Sequence, residues 1–225
     1  KISFVLISVF SVQISSQSLS VGLGSGLNFI NGNNYYTSNF GYLGIYENVN
    51  GTKTNLTGLG LNRELQFRLS AKYSFENLPV NLTADFNYLR MRGNETMYIY
   101  DMLMQREFLK DVTTKMDIWS FQLGTSYVFD FYFLKPFITS SVSANYFDDA
   151  FIEFAETDYI SEFSSYKNGM RYGYSFGAGL SYNLFSNTDL ELSTNYNSWN
   201  VFNRRDGEET LNSVSALINI YYKIL

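Results

Sequence analysis

The chain has 225 residues, of which 45% are apolar and 18% aromatic, and a formal net charge of −5. That balance lacks the clustered positive charge of a nucleic-acid footprint. With no Cys there is no disulfide and no thiolate zinc site, and with no His there is no imidazole to serve as a base beside a Ser.

Taken in order, residues 1–17 (KISFVLISVFSVQISSQ) have the layout of a secretory signal. Lys1 is the positive start, Ile2 to Val12 a short apolar run and Ser15-Ser16-Gln17 a small-residue cleavage zone. The run is well short of the ~20 residues of a spanning helix. The segment is therefore set apart, and residues 18–225 are expected to form one domain.

In that domain the dominant signal is alternation. Leu19, Val21, Leu23, Leu27 and Phe29 alternate with Ser20, Gly22, Gly24, Gly26 and Asn28. After an Asn-, Gly- and Tyr-rich connection to about residue 58, the stretch from Leu59 to Phe75 places Leu59, Leu61, Arg63, Leu65, Phe67, Leu69, Ala71, Tyr73 and Phe75 on one face. Gly60, Asn62, Glu64, Gln66, Arg68, Ser70, Lys72 and Ser74 fall on the other. Side chains of a strand point alternately to opposite faces, so each stretch is a strand with one oily and one polar surface. At 17 residues the second exceeds the ~9–11 that a tilted strand needs to cross a bilayer.

A tight turn at Glu76-Asn77-Leu78-Pro79 leads to strand 3, with Leu82, Ala84, Phe86 and Tyr88 against Asn81, Thr83, Asp85 and Asn87. A long connection is expected from about Arg90 to Lys115. Within it MYIYDMLMQREFLK (97–110) suits either a projecting strand pair or a short amphipathic helix. Strand 4 carries Trp119, Phe121, Leu123, Tyr127 and Phe129 on its apolar face. Strand 5 carries Ile138, Val142, Ala144 and Tyr146 on its own, with Phe137 interrupting the pattern. Phe147 to Gly169 is a third long connection. Strand 6 follows with Tyr172, Tyr174, Phe176, Ala178, Leu180, Tyr182 and Leu184, strand 7 with Leu190, Leu192, Thr194 and Tyr196, and strand 8 with Val214, Ala216, Ile218, Ile220 and Tyr222.

Eight strands joined by alternately long and short connections predict an all-β, eight-stranded antiparallel up-and-down transmembrane β-barrel. Its long loops are expected outside and its short turns and both termini on the periplasmic side. A soluble lipocalin-like ligand-binding barrel is the inside-out alternative. It fits less well, because the polar faces hold Gly, Ser, Asn and Thr with sparse charge, whereas a solvated surface usually carries ~25–35% charged residues. The apolar faces begin or end in Tyr, Phe or Trp on most strands, as suits headgroup level.

An eight-stranded lumen is only wide enough for side chains. Its expected charges are Glu64, Arg68, Lys72, Asp85, Arg171, Glu191 and Lys223. Closing the 76–79 turn sets residues 70 and 85 opposite, so that Arg68 and Lys72 flank Asp85 diagonally. Both signs are present, and the expectation is a plugged polar core. Carboxylate-only catalysis by Glu64, Asp85 or Glu191 has a simpler rival in ion pairing, so no catalytic residue, cofactor or metal is assigned.

The stretches LSVGLGSGLNF (19–29), YGYSFGAGLSYNL (172–184) and SALINIYYKIL (215–225) give the chain its resemblance to the eight-stranded outer-membrane β-barrels, the OmpA transmembrane domain and OmpX-like group. The resemblance covers about residues 18–225, rests on pattern, and implies the bacterial outer membrane of a Gram-negative cell with its lipid and lipopolysaccharide as partners.

Function is then expected in the loops. Tyr35, Tyr36 and Tyr42 give the first loop a composition suited to protein contact, since Tyr supplies contact area at low entropic cost. Between Phe147 and Phe163 the carboxylates Asp148, Asp149, Glu153, Glu156, Asp158 and Glu162 stand without a Lys or Arg. That segment is either a solvated acidic loop or a place for divalent cations or a basic partner. The leading reading is a non-enzymatic, monomeric structural or surface-interaction protein with an external protein partner. The alternative is a narrow porin-like channel for ions or small solutes.

Overall fold

A strand in hydrocarbon has no water to satisfy its edge N–H and C=O groups, so a membrane-spanning sheet must close on itself. The computed structural model shows that closure. It describes residues 17–30, 43–48, 51–55, 61, 63–75, 77–101, 106–131, 133–148, 151–154, 160–162, 168–204 and 209–224, with side chains outside the description at 17, 43–55, 63–64, 94–112 and 151–162. The expected signal segment, as far as residue 16, and most of the first loop, Tyr35, Tyr36 and Tyr42 included, lie outside the described residues.

In chain order the strands are β1 (Gln17–Ile30), β2 (Leu43–Asn48), β3 (Gly51–Asn55), β4 (Arg63–Phe75), β5 (Val80–Asp101), β6 (Arg106–Val128), β7 (Leu134–Phe147), β8 (Phe151–Phe154), β9 (Ile160–Glu162), β10 (Gly169–Phe185), β11 (Thr188–Phe202) and β12 (Asn212–Lys223). Eight of them make the barrel. β1, β4, β5, β6, β7, β10, β11 and β12 each pair antiparallel with the next, and β12 pairs with β1. The connections at one end are tight: Leu78 N–H reaches the Phe75 carbonyl, Leu134 N–H the Phe131 carbonyl, and a two-residue turn at Ser186-Asn187 joins β10 to β11. All the longer connections leave from the other end.

The faces are those the alternation gives. Leu23, Phe67, Phe121, Phe176 and Ile218 stand exposed on the outside, while Gln66, Asn87, Ser120, Asn145, Asn195 and Ser215 are buried inside. A water-soluble barrel would have these reversed. The outer band is therefore the hydrocarbon-facing surface of a transmembrane barrel.

Three expectations change. The stretch 90–115 is not a loop. β5 and β6 continue as a paired hairpin from Arg90↔Asp117 to Asp101↔Arg106, which settles the MYIYDMLMQREFLK segment as a projecting strand pair. Along this extension the alternation reverses its sense: Arg90, Arg92, Lys115 and Asp117 now lie on the outward face, and Leu89, Met91, Met116 and Ile118 are buried within. Beyond the lipid the outer face meets water, so the same pleat carries the opposite polarity. Leu61 likewise, expected outside with Leu65 and Phe67, is buried at this end. The residues around it at 56–60 and 62 lie outside the described residues.

Phe137, which interrupts the pattern of β7, also points inward, and glycine makes room for it. A Cβ on Gly179 would lie 2.5 Å from the Phe137 ring, and one on Gly22 would lie 2.6 Å from the Tyr221 ring. Each large luminal ring thus seats on a bare backbone of the neighbouring strand. The remaining short strands extend the barrel outward: β2 adds in parallel beside β5 and β8 antiparallel beside β6, with β3 and β9 completing their hairpins.

Leu192 stands exposed near the middle of β11, between the turn and the bulge at its far end. Leu192→Arg places a cation near the bilayer midplane and is expected to cost roughly 2–4 kcal/mol of folding stability. Denaturant titration of the folded fraction in phospholipid vesicles measures it, with Leu192→Ala as the small-effect control.

Candidate functional site

The lumen is layered from the short-turn end to the long-connection end. At the short-turn mouth is a polar cavity of about 470 Å³, bordered by Ser18, Ser74, Asn77, Asp130, Lys135 and Asn183. At its rim Lys223 Nζ lies 3.6 Å from Asp189 Oδ2.

Above it lies the charged layer. Lys72 on β4 forms an ion pair with Glu191 on β11, across the lumen rather than along one strand pair, and both side chains are about nine-tenths buried. The Lys72 ammonium also sits 3.8 Å from the centre of the Tyr221 ring, a cation–π contact. Beside this pair, Arg68 Nη1 stands 4.0 Å from Asp85 Oδ2. The ladder sets Ser70 opposite Asp85 and Arg68 opposite Asn87, so Arg68 meets Asp85 on the diagonal.

The next layer is amide and hydroxyl. Trp199 Nε1 donates to Ser213 Oγ at 2.8 Å, Ser213 Oγ to Asn28 Oδ1 at 3.1 Å, Asn28 Nδ2 to Gln66 Oε1 at 2.7 Å, and Gln66 Nε2 to Asn87 Oδ1 at 2.7 Å. Arg68 Nε donates to the same Asn87 oxygen at 2.9 Å. One chain of hydrogen bonds thus joins five strands and ends on the charged layer, and such connected networks hold a polar interior in a single arrangement.

The last layer is apolar. Leu61, Leu89, Met91, Met116, Ile118, Phe147, Trp199 and Leu211 are essentially inaccessible to solvent. Trp199 enters through a bulge: between Tyr172↔Phe202 and Tyr174↔Ser198, β11 carries extra residues that tuck 198–200 inward. The fold fixes it there. Its N–H donates to the Leu211 carbonyl, Asn145 Nδ2 donates to the Trp199 carbonyl, and Asn200 Oδ1 accepts from Leu211 N–H. Arg171 is buried in this layer, its guanidinium 5.2 Å from the Phe147 ring centre.

The residues expected to share one polar network are therefore divided. Arg68, Lys72, Asp85 and Glu191 meet at mid-lumen. Lys223 lies at the mouth with Asp189, which sequence reading passed over, and Arg171 lies in the apolar layer. Glu64 pairs with Asn28 and Met91 in register, and its side chain lies outside the described residues. Of the acidic loop, Asp148 is half-buried beside β6, its N–H donating to the Asp117 carbonyl. Glu153 is in β8 without a described side chain, and Asp149, Glu156 and Asp158 lie outside the described residues. The apolar layer was missed outright. Its signal was the reversed alternation in YLRMRG (88–93) and KMDIW (115–119).

With this arrangement established, comparison supplies a family. Residues 43–217 match the family model described as Opacity family porin protein. The chain belongs to the Opacity porin family. Among solved structures it is similar to the neisserial surface protein NspA, with a TM-score of 0.52 at 16% identity over 93% of this chain and 100% of that one. It is also similar to OprG of Pseudomonas aeruginosa (TM-score 0.48, 13% identity, 93% and 98% covered) and Ail of Yersinia pestis (TM-score 0.46, 13% identity, 92% and 97% covered). Comparison with curated protein sequences finds no match. At 16% identity the likeness to NspA speaks for the fold alone. Membership of the Opacity family makes the chain a barrel of the bacterial outer membrane, which excludes the soluble lipocalin-like alternative.

The cross-lumen pair makes a sharp energetic test. Lys72→Met strands the Glu191 carboxylate in the lumen and is expected to cost roughly 3–5 kcal/mol. The double variant Lys72→Met/Glu191→Leu recovers most of that loss. A double-mutant cycle from urea unfolding in vesicles measures the coupling.

Proposed function

We propose that this Opacity-family barrel is non-enzymatic, that its lumen is closed to solutes, and that its role is carried by the long connections at the cell surface, with both termini on the periplasmic side. The observation that carries the reading is the apolar layer. An ion crossing it would exchange its hydration shell for Leu, Met and Trp side chains, and hydrophobic constrictions of this kind block conduction by excluding water. The charged layer beneath adds a second barrier, since Lys72 and Glu191 are already neutralised by each other.

The orientation rests on loop length, because outer-membrane barrels keep short turns in the periplasm and longer loops outside. The absence of His leaves the hydroxyls without the usual activating base, and Asp85 and Glu191 stand beside cations. The first-loop tyrosines Tyr35, Tyr36 and Tyr42 and the acidic residues Asp148, Asp149, Glu153, Glu156 and Asp158 are the proposed contacts for an external protein partner.

Two measurements test the reading. In planar bilayers the wild-type protein is expected to show no steady openings, whereas Trp199→Ala/Met91→Ala, which thins the apolar layer, admits a small conductance. Steady wild-type openings would instead support the narrow-channel reading. For orientation, the chain has no Cys, so a single engineered thiol reports cleanly. Arg204→Cys, at the long-connection end, is expected to react with a large membrane-impermeant maleimide on intact cells. Asn187→Cys, in the β10–β11 turn, is expected to react only after the outer membrane is permeabilised.

A further inference from the structure

We propose that the polar cavity at the short-turn mouth is a binding site for the zwitterionic head of an α-amino acid, whose carboxylate meets Lys135 and whose ammonium meets Asp130. The site lies at the opposite end of the barrel from the long connections and is independent of the role proposed for them.

The cavity has the size and the wall of a small-molecule site. Its volume of about 470 Å³ falls within the roughly 300–1,000 Å³ of ligand pockets. Every strand of the barrel contributes to it, from Ser18 on β1 to Lys223 on β12. Between its charges the wall is hydroxyl and amide, and no aromatic residue is among the described residues that line it. Such a wall suits a polar ligand and gives a nucleobase nothing to stack on. The Lys72–Glu191 pair borders it on the inner side, so the cavity ends against the charged layer.

Of the charges that line the mouth, two are uncommitted. Lys72 is held by Glu191, and Lys223 lies 3.6 Å from Asp189. The side chains of Lys135 and Asp130 have neither an ion pair nor a hydrogen bond among the described residues. Yet the two stand opposite one another. Val128 pairs with Phe137 on one side of them and Phe131 bridges to Leu134 on the other, while the Phe129 N–H bonds the Pro136 carbonyl. Residues facing each other in this way have Cα atoms roughly 4.5–5.5 Å apart. Lys135 is half-buried in the wall and Asp130 is exposed at the rim, both bordering the cavity. An ammonium and a carboxylate are thus presented side by side without closing on each other. A ligand that answers both must carry the two opposite charges on neighbouring atoms, and both ionic groups of an α-amino acid hang from one carbon. A phosphate would set a like charge against Asp130 and a metal cation one against Lys135, and like charges in contact are costly. Ser181, opposite Lys135 on β10, and Asn183 continue the wall as partners for a polar side chain on the ligand.

The test uses the full chain folded in a non-ionic detergent, with heat-modifiable gel migration as the control for fold and ligand-observed NMR titration as the readout. The probes are glutamine, N-acetylglutamine (which lacks the ammonium), glutaminamide (which lacks the carboxylate) and Nε-alanyl-lysine, an α-amino-acid head carried on a peptide bond. Wild type is expected to bind glutamine about fivefold more tightly than either blocked form, as one partly exposed ion pair would give. Lys135→Gln removes the preference over glutaminamide and keeps that over N-acetylglutamine, and Asp130→Asn does the reverse. That crossed pattern assigns each ionic group of the ligand to its own side chain. Nε-alanyl-lysine bound as tightly as glutamine supports the site with a peptide-borne head as its occupant, and glutamine bound alone supports it with a free amino acid. No binding of glutamine, equal affinity for the blocked forms, or preferences unchanged in both variants overturns the site. Because the titration is made in detergent, reversed maleimide labelling of Arg204→Cys would change only the compartment that the mouth opens to. Steady wild-type conductance would sink the closed lumen and leave this site standing.

Discussion

Everything in this molecule follows from the backbone having to satisfy itself inside hydrocarbon. A sheet edge left open in lipid would expose a row of donors and acceptors at several kcal/mol each. The pairing of β12 with β1, running from Ser20↔Lys223 to Ile30↔Ser213, removes that edge. Once the ring is closed, the pleat assigns every residue to lipid or lumen. A one-residue slip anywhere would send Leu, Phe and Tyr inward and Asn and Ser into the membrane. The alternation is thus the register lock of the barrel as well as its membrane anchor.

Closure creates a second problem, which is how to fill a narrow tube. The solution changes along the axis. Toward the short-turn end the interior is ionic, with charges paired across the tube by Lys72 and Glu191 and between neighbours by Arg68 and Asp85. In the middle it is a hydrogen-bonded chain from Trp199 to Asn87. Toward the long connections it is a dry core of the kind found in soluble domains. Bare backbone at Gly22 and Gly179 admits the Tyr221 and Phe137 rings beside the charged residues. A tube filled in this way behaves as a core, and the surface chemistry of the protein is displaced to its rim.

That rim has a recognisable construction. Where β5 and β6 leave the lipid, their outward residues switch from Phe86 and Trp119 to Arg90, Arg92, Lys115 and Asp117, and their inward residues switch from Asn87 and Ser120 to Leu89, Met91, Met116 and Ile118. Both changes have one cause. Outside the bilayer the water is on the outer face, so the pleat inverts its polarity without any change in pairing. The Tyr88–Asp117–Arg92 contacts sit at this switch and join the aromatic row to the charged one.

The sequence by itself determined the number of spanning strands, their faces, and which ends carry short turns, because a period of two over ten or more residues has a single structural meaning when one face must be oily. It also placed residue 70 opposite residue 85, since a tight turn leaves little freedom of register. What it could not give was how far β5 and β6 run, because a polarity that reverses midway looks like the end of a strand when only one sense is sought. Nor could it bring Lys72 to Glu191 or Asn28 to Ser213: those residues are far apart in the chain, and only closing the barrel makes them neighbours. The bulge that turns Trp199 inward and the glycines that receive Phe137 and Tyr221 belong to the same class. They are decided by contacts across the tube, where the local alternation of a single strand carries no information.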